Sequence, residues 1–348
     1  MESEMSSPAI ADQPDADPIR VIYVMGAGRS GSTALEGMLG DHEDSVAVGE
    51  ISAIFSSIWD ERCHCSCGER GPDCEIWRDI FDRWCELTGL DSFEENGPLN
   101  TKYESLKRFG LPQWRRQMRA AHEPTEEDAT WLQRTHAIYQ AVAEVTGKRV
   151  IIDSSKNPLR ARSLCLTPGL DVRLIHLTRD VRGVVWSRLK AYRKDPKNGF
   201  GKEHAPVPVW RSVGYWGLTN LIASAVRRAH PECLSMLLRY EDYTAEPIRE
   251  FARISEVTGL DYGPIAERLV AGHPVRPQHT CAGNPVRMQG AIRLAPDYQW
   301  MESLPESMKR RSWLLGGWLA RCYGYEKHPT VPTATATEST DHTAARAA

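Results

Sequence analysis

The sequence lacks the features that mark several common classes of protein. No apolar run is long enough to span a bilayer, and the acidic residues 1–20 contain no apolar core of a secretory signal. The 43 lysines and arginines do not outnumber the 46 aspartates and glutamates, so the chain has no broad positive field for nucleic acid. These absences predict a cytoplasmic protein with no membrane span and no nucleic-acid partner. A local cluster of Arg and Lys would still suffice for a small anionic ligand.

Most of the 348 residues have the composition of a globular protein, with 41% hydrophobic side chains. Residues 1–18 and 329–348 are polar and have little to bury, which predicts disordered tails around a single domain over 19–328. The nine cysteines are an odd number, and no secretory signal accompanies them. This favours a reducing compartment over a disulfide framework.

Short apolar runs that end on polar or Gly-rich segments predict buried parallel strands. The runs are Val21–Met25, Val150–Asp153, Val172–Leu177 and Ser235–Arg239, with Ala47–Glu50 as a short fifth candidate. Helical patterns follow the first, third and fourth runs. Alternation of strand and helix predicts an α/β fold with a central parallel sheet.

Two segments interrupt this alternation. Residues 52–148 carry several tryptophans on helical patterns, which predicts a helical insertion over the carboxyl edge of the sheet. Residues 192–216 are rich in Gly, Pro and aromatic side chains, which predicts a mobile loop over a site. Trp210, Tyr215 and Trp216 in that loop are candidates either for the wall of an acceptor pocket or for ordinary packing.

The strongest local signal is a Gly-rich turn between the first strand and the following helix. The turn directs backbone N–H groups and a helix N-terminus at one point, which favours a phosphate or sulfate site over a ligand-free turn. Its candidate binding residues are Gly28, Arg29, Ser30, Gly31, Ser32 and Thr33. The spacing nearly matches the loop of nucleoside triphosphatases, but Ser32 stands where those proteins have lysine. A P-loop kinase or NTPase is therefore the less favoured alternative.

The segment GRSGSTALEGML resembles the 5′-phosphosulfate loop of the sulfotransferases that use 3′-phosphoadenylyl sulfate (PAPS). A second match follows later, where Arg179 and Ser187 occupy the positions that hold the 3′-phosphate in that family. Tyr240 in RYEDY, and Asn284 and Arg287 in a late Gly/Arg loop, extend the resemblance. It implies a P-loop-like three-layer sandwich, a sulfotransferase activity (EC 2.8.2 type), PAPS as donor and adenosine 3′,5′-bisphosphate (PAP) as product, with no metal required.

The helical insertion and Gly49-Glu50 look more like the bacterial and tyrosylprotein or carbohydrate-type branch. That resemblance implies Glu50 as the general base and Lys156 as a catalytic cation. Arg29 is expected to share the charge of the transferring group. The acceptor would be a hydroxyl of a small molecule or a glycan. His176 is the rival base by residue type, but its position within an apolar strand favours a buried structural role.

The cysteines of the segment Cys63-His-Cys65-Ser-Cys67 and the nearby Cys74 form the sharpest unexplained pattern. Their spacing is tighter than usual for zinc. A zinc site, reduced thiols that pack or form a redox pair, and a disulfide cluster remain alternatives. A non-catalytic zinc-knuckle interaction protein is accordingly the second alternative function.

Overall fold

A five-stranded, all-parallel sheet forms the centre of the protein. The computed structural model describes residues 17–55, 59, 63–105, 111–190, 193, 195 and 203–330. The strands are β1 Ile19–Met25, β2 Ser45–Gly49, β3 Val150–Lys156, β4 Leu170–Thr178 and β5 Ser235–Arg239. Their order in the sheet is β2-β3-β1-β4-β5, with every pairing parallel. The predicted α/β class with a central parallel sheet is confirmed.

Both faces of the sheet are covered, and this explains why its strands read as continuous apolar runs. Val21 and Tyr23 of β1 belong to one hydrophobic cluster, whereas Ile22 and Val24 belong to the cluster on the opposite face. All four side chains are fully buried. The sheet is therefore the middle of three layers.

The helices are numbered in chain order. They are α1 Ser32–Leu39, α2 Ile51–Ile54, α3 Glu75–Thr88, α4 Gly97–Glu104, α5 Leu111–His122, α6 Glu126–Thr146, α7 Pro158–Cys165, α8 Val181–Leu189, α9 Val209–Ala229, α10 Tyr240–Ala245, α11 Pro247–Thr258, α12 Gly263–Val270, α13 Gln299–Ser303 and α14 Glu306–Cys322. Within the described ranges, no helix is long and apolar enough to cross a membrane. Of the predicted tails, residues 1–16 and 331–348 lie outside the described residues.

Strand bounds differ from the predicted ones mainly at polar residues. The third strand continues beyond Asp153 to Lys156, which pairs with Met25 of β1 after an irregularity in the register. Glu50 was predicted within a strand, but β2 ends at Gly49, whose φ of 86° turns the chain out of the strand. Glu50 instead precedes α2.

Only part of the predicted insertion over residues 52–148 lies at the carboxyl edge of the sheet. Helix α6 is the crossover that leads into β3, and its apolar residues pack on one face of the sheet together with β1 and β3. The segment around Cys65 instead lies beside Cys281, next to the carboxyl end of β2. Helical periodicity predicted these helices, but it did not distinguish a face from an edge.

The predicted loop over residues 192–216 is wrong in its last part, because α9 begins at Val209. Trp216 lies within this helix, fully buried, and its Nε1 donates a hydrogen bond to the carbonyl oxygen of Arg179 at 3.0 Å. Trp210 is 66% exposed. Residues 192, 194 and 196–202 of the predicted loop lie outside the described residues.

Candidate functional site

A cavity of about 750 Å³ lies at the carboxyl edge of the sheet, where the segments after β1, β2, β3 and β4 meet. It brings together nearly all the site residues predicted from the sequence. Those that line it are Gly28, Arg29, Gly31, Ser32, Thr33, Glu50, Lys156, Arg179, Ser187, Tyr240, Asn284 and Arg287. Ser30 is the exception, because its side chain is buried behind the loop.

The loop after β1 is fixed mainly through its backbone. The amide of Gly26 donates to the carbonyl oxygen of Lys156 at 3.0 Å, and the amide of Gly28 donates to the hydroxyl of Tyr215 at 3.0 Å. Gly31 precedes α1 with a φ of 88°, and within the described chain no side chain caps this helix. The buried Oγ of Ser30 also has no hydrogen-bond partner there. Uncapped N–H groups and an unpaired hydroxyl are what an anion-binding loop requires.

Glu50 and Lys156 form an ion pair at this edge. The backbone amide of Glu50 donates to the carbonyl oxygen of Cys281 at 3.0 Å, which fixes the start of α2. Lys156 ends β3 with a φ of 67°, in the left-handed region that side chains other than Gly seldom adopt. A strained backbone at a cavity edge is common at functional sites.

The guanidinium of Arg179, directly after β4, is largely buried and joins several parts of the cavity. It donates to the carbonyl oxygen of Arg29 at 3.2 Å, pairs with the carboxylate of Asp297 at 3.0 Å, and lies 4.5 Å from the ring centre of Tyr240. Burial lowers the pKa of Arg179, but Tyr240 and Asp297 raise it by more, so the net pKa is raised. Arg179 is thus held as a cation.

In the late loop that contains Asn284 and Arg287, most hydrogen bonds of these two residues fix backbone groups. The amide of Asn284 donates to Oγ1 of Thr33 at 3.2 Å, whereas its side-chain oxygen accepts from the amide of Val286. The guanidinium of Arg287 donates to the carbonyl oxygens of Gly283 and His64 at 3.0 and 3.1 Å. Both side chains therefore hold the shape of the loop, although both residues also line the cavity.

The sequence motifs do not predict two further side chains of the cavity, Arg188 and Asp297. Arg188 follows Ser187 on α8 and lies 4.5 Å from the ring centre of Tyr215. Asp297 faces Arg179 across a separation of 118 residues. A motif at the end of a strand predicts only residues close to that strand in the sequence. It therefore cannot predict a distant partner such as Asp297.

Glu36 of α1 is also absent from the predictions. It is buried beneath the cavity, where its carboxylate accepts hydrogen bonds from the amide of Gly49 and from the hydroxyl of Ser154. Burial raises the pKa of Glu36 to about 7, although both hydrogen bonds lower it. The sequence could have indicated a buried carboxylate here, because Glu36 stands between the apolar residues of α1.

His176 does not belong to the site. It is fully buried in β4, with its Nε2 3.0 Å from Oδ1 of Asn220. Burial lowers the pKa of His176 to about 4. The structure agrees with the buried structural role favoured from the sequence.

The cysteine-rich segment forms a separate group beside the cavity. Cys65, Cys67 and Cys74 converge with His279, and the four ligand atoms all lie within 4.8 Å of one another. Cys63, which the sequence pattern included, is outside this group and lies beside Cys281 instead. All of these cysteines are free thiols in the structure. His279 was missed as a partner because it is 205 residues away from Cys74.

The chain matches a protein-family model. This model, that of the sulfotransferase family, matches residues 86–264, just over half of the chain. Carbohydrate sulfotransferase 4 of Mus musculus is 24% identical over 335 residues, which cover 86% of this chain and 82% of the mouse protein. Sulfotransferase STF9 of Mycobacterium avium is similar over 90% of this chain and 80% of its own, with 14% identity and a TM-score of 0.45. The sulfotransferase domain of the Synechococcus PCC 7002 olefin synthase is similar over 90% of this chain and 98% of its own, with 17% identity and a TM-score of 0.42.

Proposed function

The chain belongs to the sulfotransferase family, and from that premise we propose that it transfers a sulfuryl group from PAPS to a hydroxyl group. The acceptor is a small molecule or a glycan, and the product nucleotide is PAP. Family membership favours this function over a kinase, an NTPase or a non-catalytic interaction protein. No metal takes part in the proposed transfer.

One observation carries the proposal: the Gly-rich loop after β1, the cations Arg29, Lys156 and Arg179, and the carboxylate of Glu50 border the same cavity. The start of α1, which no side chain caps within the described residues, suits the 5′-phosphosulfate. Arg179 suits the 3′-phosphate, since a planar guanidinium grips phosphate in a bidentate manner. Ser187 and Tyr240 flank that position in the same cavity.

The proposed chemistry is an in-line displacement at sulfur. The acceptor oxygen attacks the sulfur atom while the carboxylate of Glu50 takes the hydroxyl proton, and the bond from sulfur to the phosphate oxygen breaks. Lys156 and Arg29 stabilise the negative charge that develops on the sulfuryl group and on the leaving phosphate. Positioning supplies much of the rate because no covalent enzyme intermediate is needed.

Ligand-dependent thermal unfolding tests the donor. PAP, AMP, ADP, and ATP with Mg²⁺ are compared at equal concentrations. A ligand at 100 times its dissociation constant stabilises the folded state by about 2.7 kcal/mol, which raises the midpoint by several degrees. We expect the largest increase with PAP. An increase with ATP and Mg²⁺ alone would support a kinase instead.

Transfer itself is tested with PAPS that carries radioactive sulfur. The acceptors are a panel of phenols, alcohols and hydroxyl-rich glycans, and the readouts are labelled product and released PAP in equal amounts. Binding of PAP without transfer to any acceptor would support the donor site and reject that acceptor panel. Absence of both binding and transfer would reject the proposed function.

A further inference from the structure

The group of Cys65, Cys67, Cys74 and His279 has the composition and spacing of a metal site. Nδ1 of His279 lies 3.2 Å from Sγ of Cys74 and 3.7 Å from Sγ of Cys65. In a tetrahedral zinc site, metal–sulfur distances of about 2.3 Å and metal–nitrogen distances of about 2.0–2.1 Å separate neighbouring ligand atoms by roughly 3.5–3.8 Å. The distance to Cys65 lies within that range, and the distance to Cys74 is shorter.

Local structure presents the thiols on a tight turn and at a helix start. The amide of Cys65 donates to the carbonyl oxygen of Glu69 at 2.8 Å, and the amide of Gly68 donates to the carbonyl oxygen of Cys65 at 2.9 Å. Gly68 has a φ of 100°, so the chain reverses directly after Cys67. Cys74 is the residue before α3.

His279 belongs to the segment before the late loop, and hydrogen bonds hold this segment against the cysteine turn. Nε1 of Trp77 on α3 donates to the backbone oxygen of His279 at 2.7 Å. The amide of Ser66 donates to the carbonyl oxygen of Thr280 at 3.0 Å, and the Thr280 amide donates to the hydroxyl of Ser66 at the same distance. His279 is therefore fixed against the cysteine turn independently of any bound ion.

We infer that Cys65, Cys67, Cys74 and Nδ1 of His279 bind one zinc ion. Three thiolates and one imidazole are soft and borderline ligands that select zinc over magnesium or calcium. Four protein ligands complete a tetrahedron and leave no open position, which makes the site structural and separate from the sulfuryl transfer. Cys63 is not a ligand.

The zinc ion would join the segment before α3 to the loop that borders the cavity. The carbonyl oxygen of Cys281, two residues after His279, accepts the amide of Glu50, and the Cys281 amide donates to the carbonyl oxygen of Val48. Gly283 and Asn284 then line the cavity. The metal thus holds in place the backbone that supports both the end of β2 and the late loop.

The first test measures metal content in the full chain. After purification under reducing conditions and without chelators, elemental analysis is expected to give one zinc per chain. Growth with cobalt in place of zinc should produce the strong visible absorption bands of tetrahedral cobalt bound to thiolates. Neither measurement depends on activity, so the zinc inference and the proposed sulfuryl transfer fail separately.

Variants assign the ligands. Cys74→Ser and His279→Gln are expected to lower zinc content and to change or abolish the cobalt spectrum. Cys63→Ser and Cys322→Ser should retain both, because neither residue belongs to the four-ligand group. Loss of zinc in Cys63→Ser with retention in His279→Gln would overturn the assigned ligand set.

Titration of the wild-type chain covers the case in which ligand variants fail to fold. Stepwise modification of the thiols by a mercurial should release one zinc per chain, detected with a chromogenic chelator, once the ligand thiols are modified. A chain that contains no zinc after purification and binds none when zinc is added would overturn the inference. So would a disulfide between two of the three cysteine ligands, detected as an intact mass two hydrogens lower and located by peptide mapping.

Discussion

The side-chain amino group of Lys156, the last residue of β3, pairs with Oε1 of Glu50, which follows β2. Both side chains border the cavity, and both are partly accessible to solvent, at 16% for Lys156 and 24% for Glu50. The pair brings a carboxylate and a cation to the same place, as the proposed sulfuryl transfer to a hydroxyl uses them.

Glu50→Gln is expected to lower kcat by about 10²–10⁴-fold, the range typical for loss of a general base. The amide cannot accept the hydroxyl proton, but it preserves the size of the side chain. PAP should therefore still raise the unfolding midpoint. The measurements are transfer of labelled sulfur and thermal unfolding with PAP.

Glu302→Gln serves as the matched control, because Glu302 is exposed on α13 and does not line the cavity. It should behave as the wild type in both assays. Wild-type turnover by Glu50→Gln would exclude Glu50 as the base.

Arg179→Lys is expected to weaken PAP binding by about 10–100-fold, because hydrogen bonds to a charged group contribute about 1.5–3 kcal/mol. Lysine keeps the positive charge but loses the planar, bidentate grip on a phosphate. AMP lacks the 3′-phosphate, so its affinity should change little. Isothermal titration with the two nucleotides measures the difference.

Arg311→Lys, at an exposed position of α14, controls for the exchange of cation type. Equal losses of PAP and AMP affinity in Arg179→Lys would contradict a role at the 3′-phosphate. They would indicate instead that Arg179 acts by holding the backbone of Arg29.

Glu36 predicts a pH dependence of stability. Its folded pKa of about 7 exceeds the ordinary value of 4.5, so the folded state binds the proton more tightly than the unfolded state. Stability from this group is therefore greatest below pH 4.5 and is lost as the pH rises towards and through 7. The full effect is about 3 kcal/mol. Glu36→Gln should remove this dependence and increase the free energy of unfolding at pH 8.

Urea unfolding at several pH values between 5 and 8 measures this change. The exposed Glu43→Gln variant should follow the wild-type curve. Parallel curves for the wild type and Glu36→Gln would show that Glu36 does not titrate in this range.

The sheet and the Gly-rich turn between β1 and α1 were predictable from sequence because each depends on local patterns. A strand buried on both faces requires a continuous apolar run, and a Gly-rich turn before a helix has few other structural uses. Arg179 and Ser187 were assigned from the resemblance to the family, in which these positions hold the 3′-phosphate. The resemblance to the family then directed attention to Glu50 and Lys156.

Long-range partners could not be predicted in the same way. His279 meets Cys74, and Asp297 meets Arg179, only after the chain has folded. The start of α9 at Val209, inside the predicted loop, was missed because the Gly and Pro content of residues 192–216 outweighed the helical pattern. Tertiary packing, which buries Trp216 against Arg179, decides that segment.

Gly49 and Gly147 provide a matched pair for the geometry beside Glu50. Both have a positive φ, 86° and 68°, but a Cβ on Gly49 would lie 1.9 Å from the carbonyl oxygen of Cys281, whereas one on Gly147 would meet nothing within 4 Å. Gly147→Ala should therefore lower the free energy of unfolding only by the energy of the left-handed backbone conformation, about 1–2 kcal/mol. Gly49→Ala should destabilise the fold by clearly more, because it also pushes the backbone of Cys281 away from β2.

Urea unfolding of both variants measures the difference, and PAP binding reports on the cavity. The displaced segment includes the carbonyl oxygen that accepts the amide of Glu50, so Gly49→Ala should also lose transfer activity in the fraction that remains folded. Gly147→Ala lies at the end of α6, far along the chain from these contacts, and its folded fraction should turn over as the wild type does. Equal destabilisation by the two substitutions would mean that Cys281 does not pack against Gly49, and the position of Glu50 would then have to be revised.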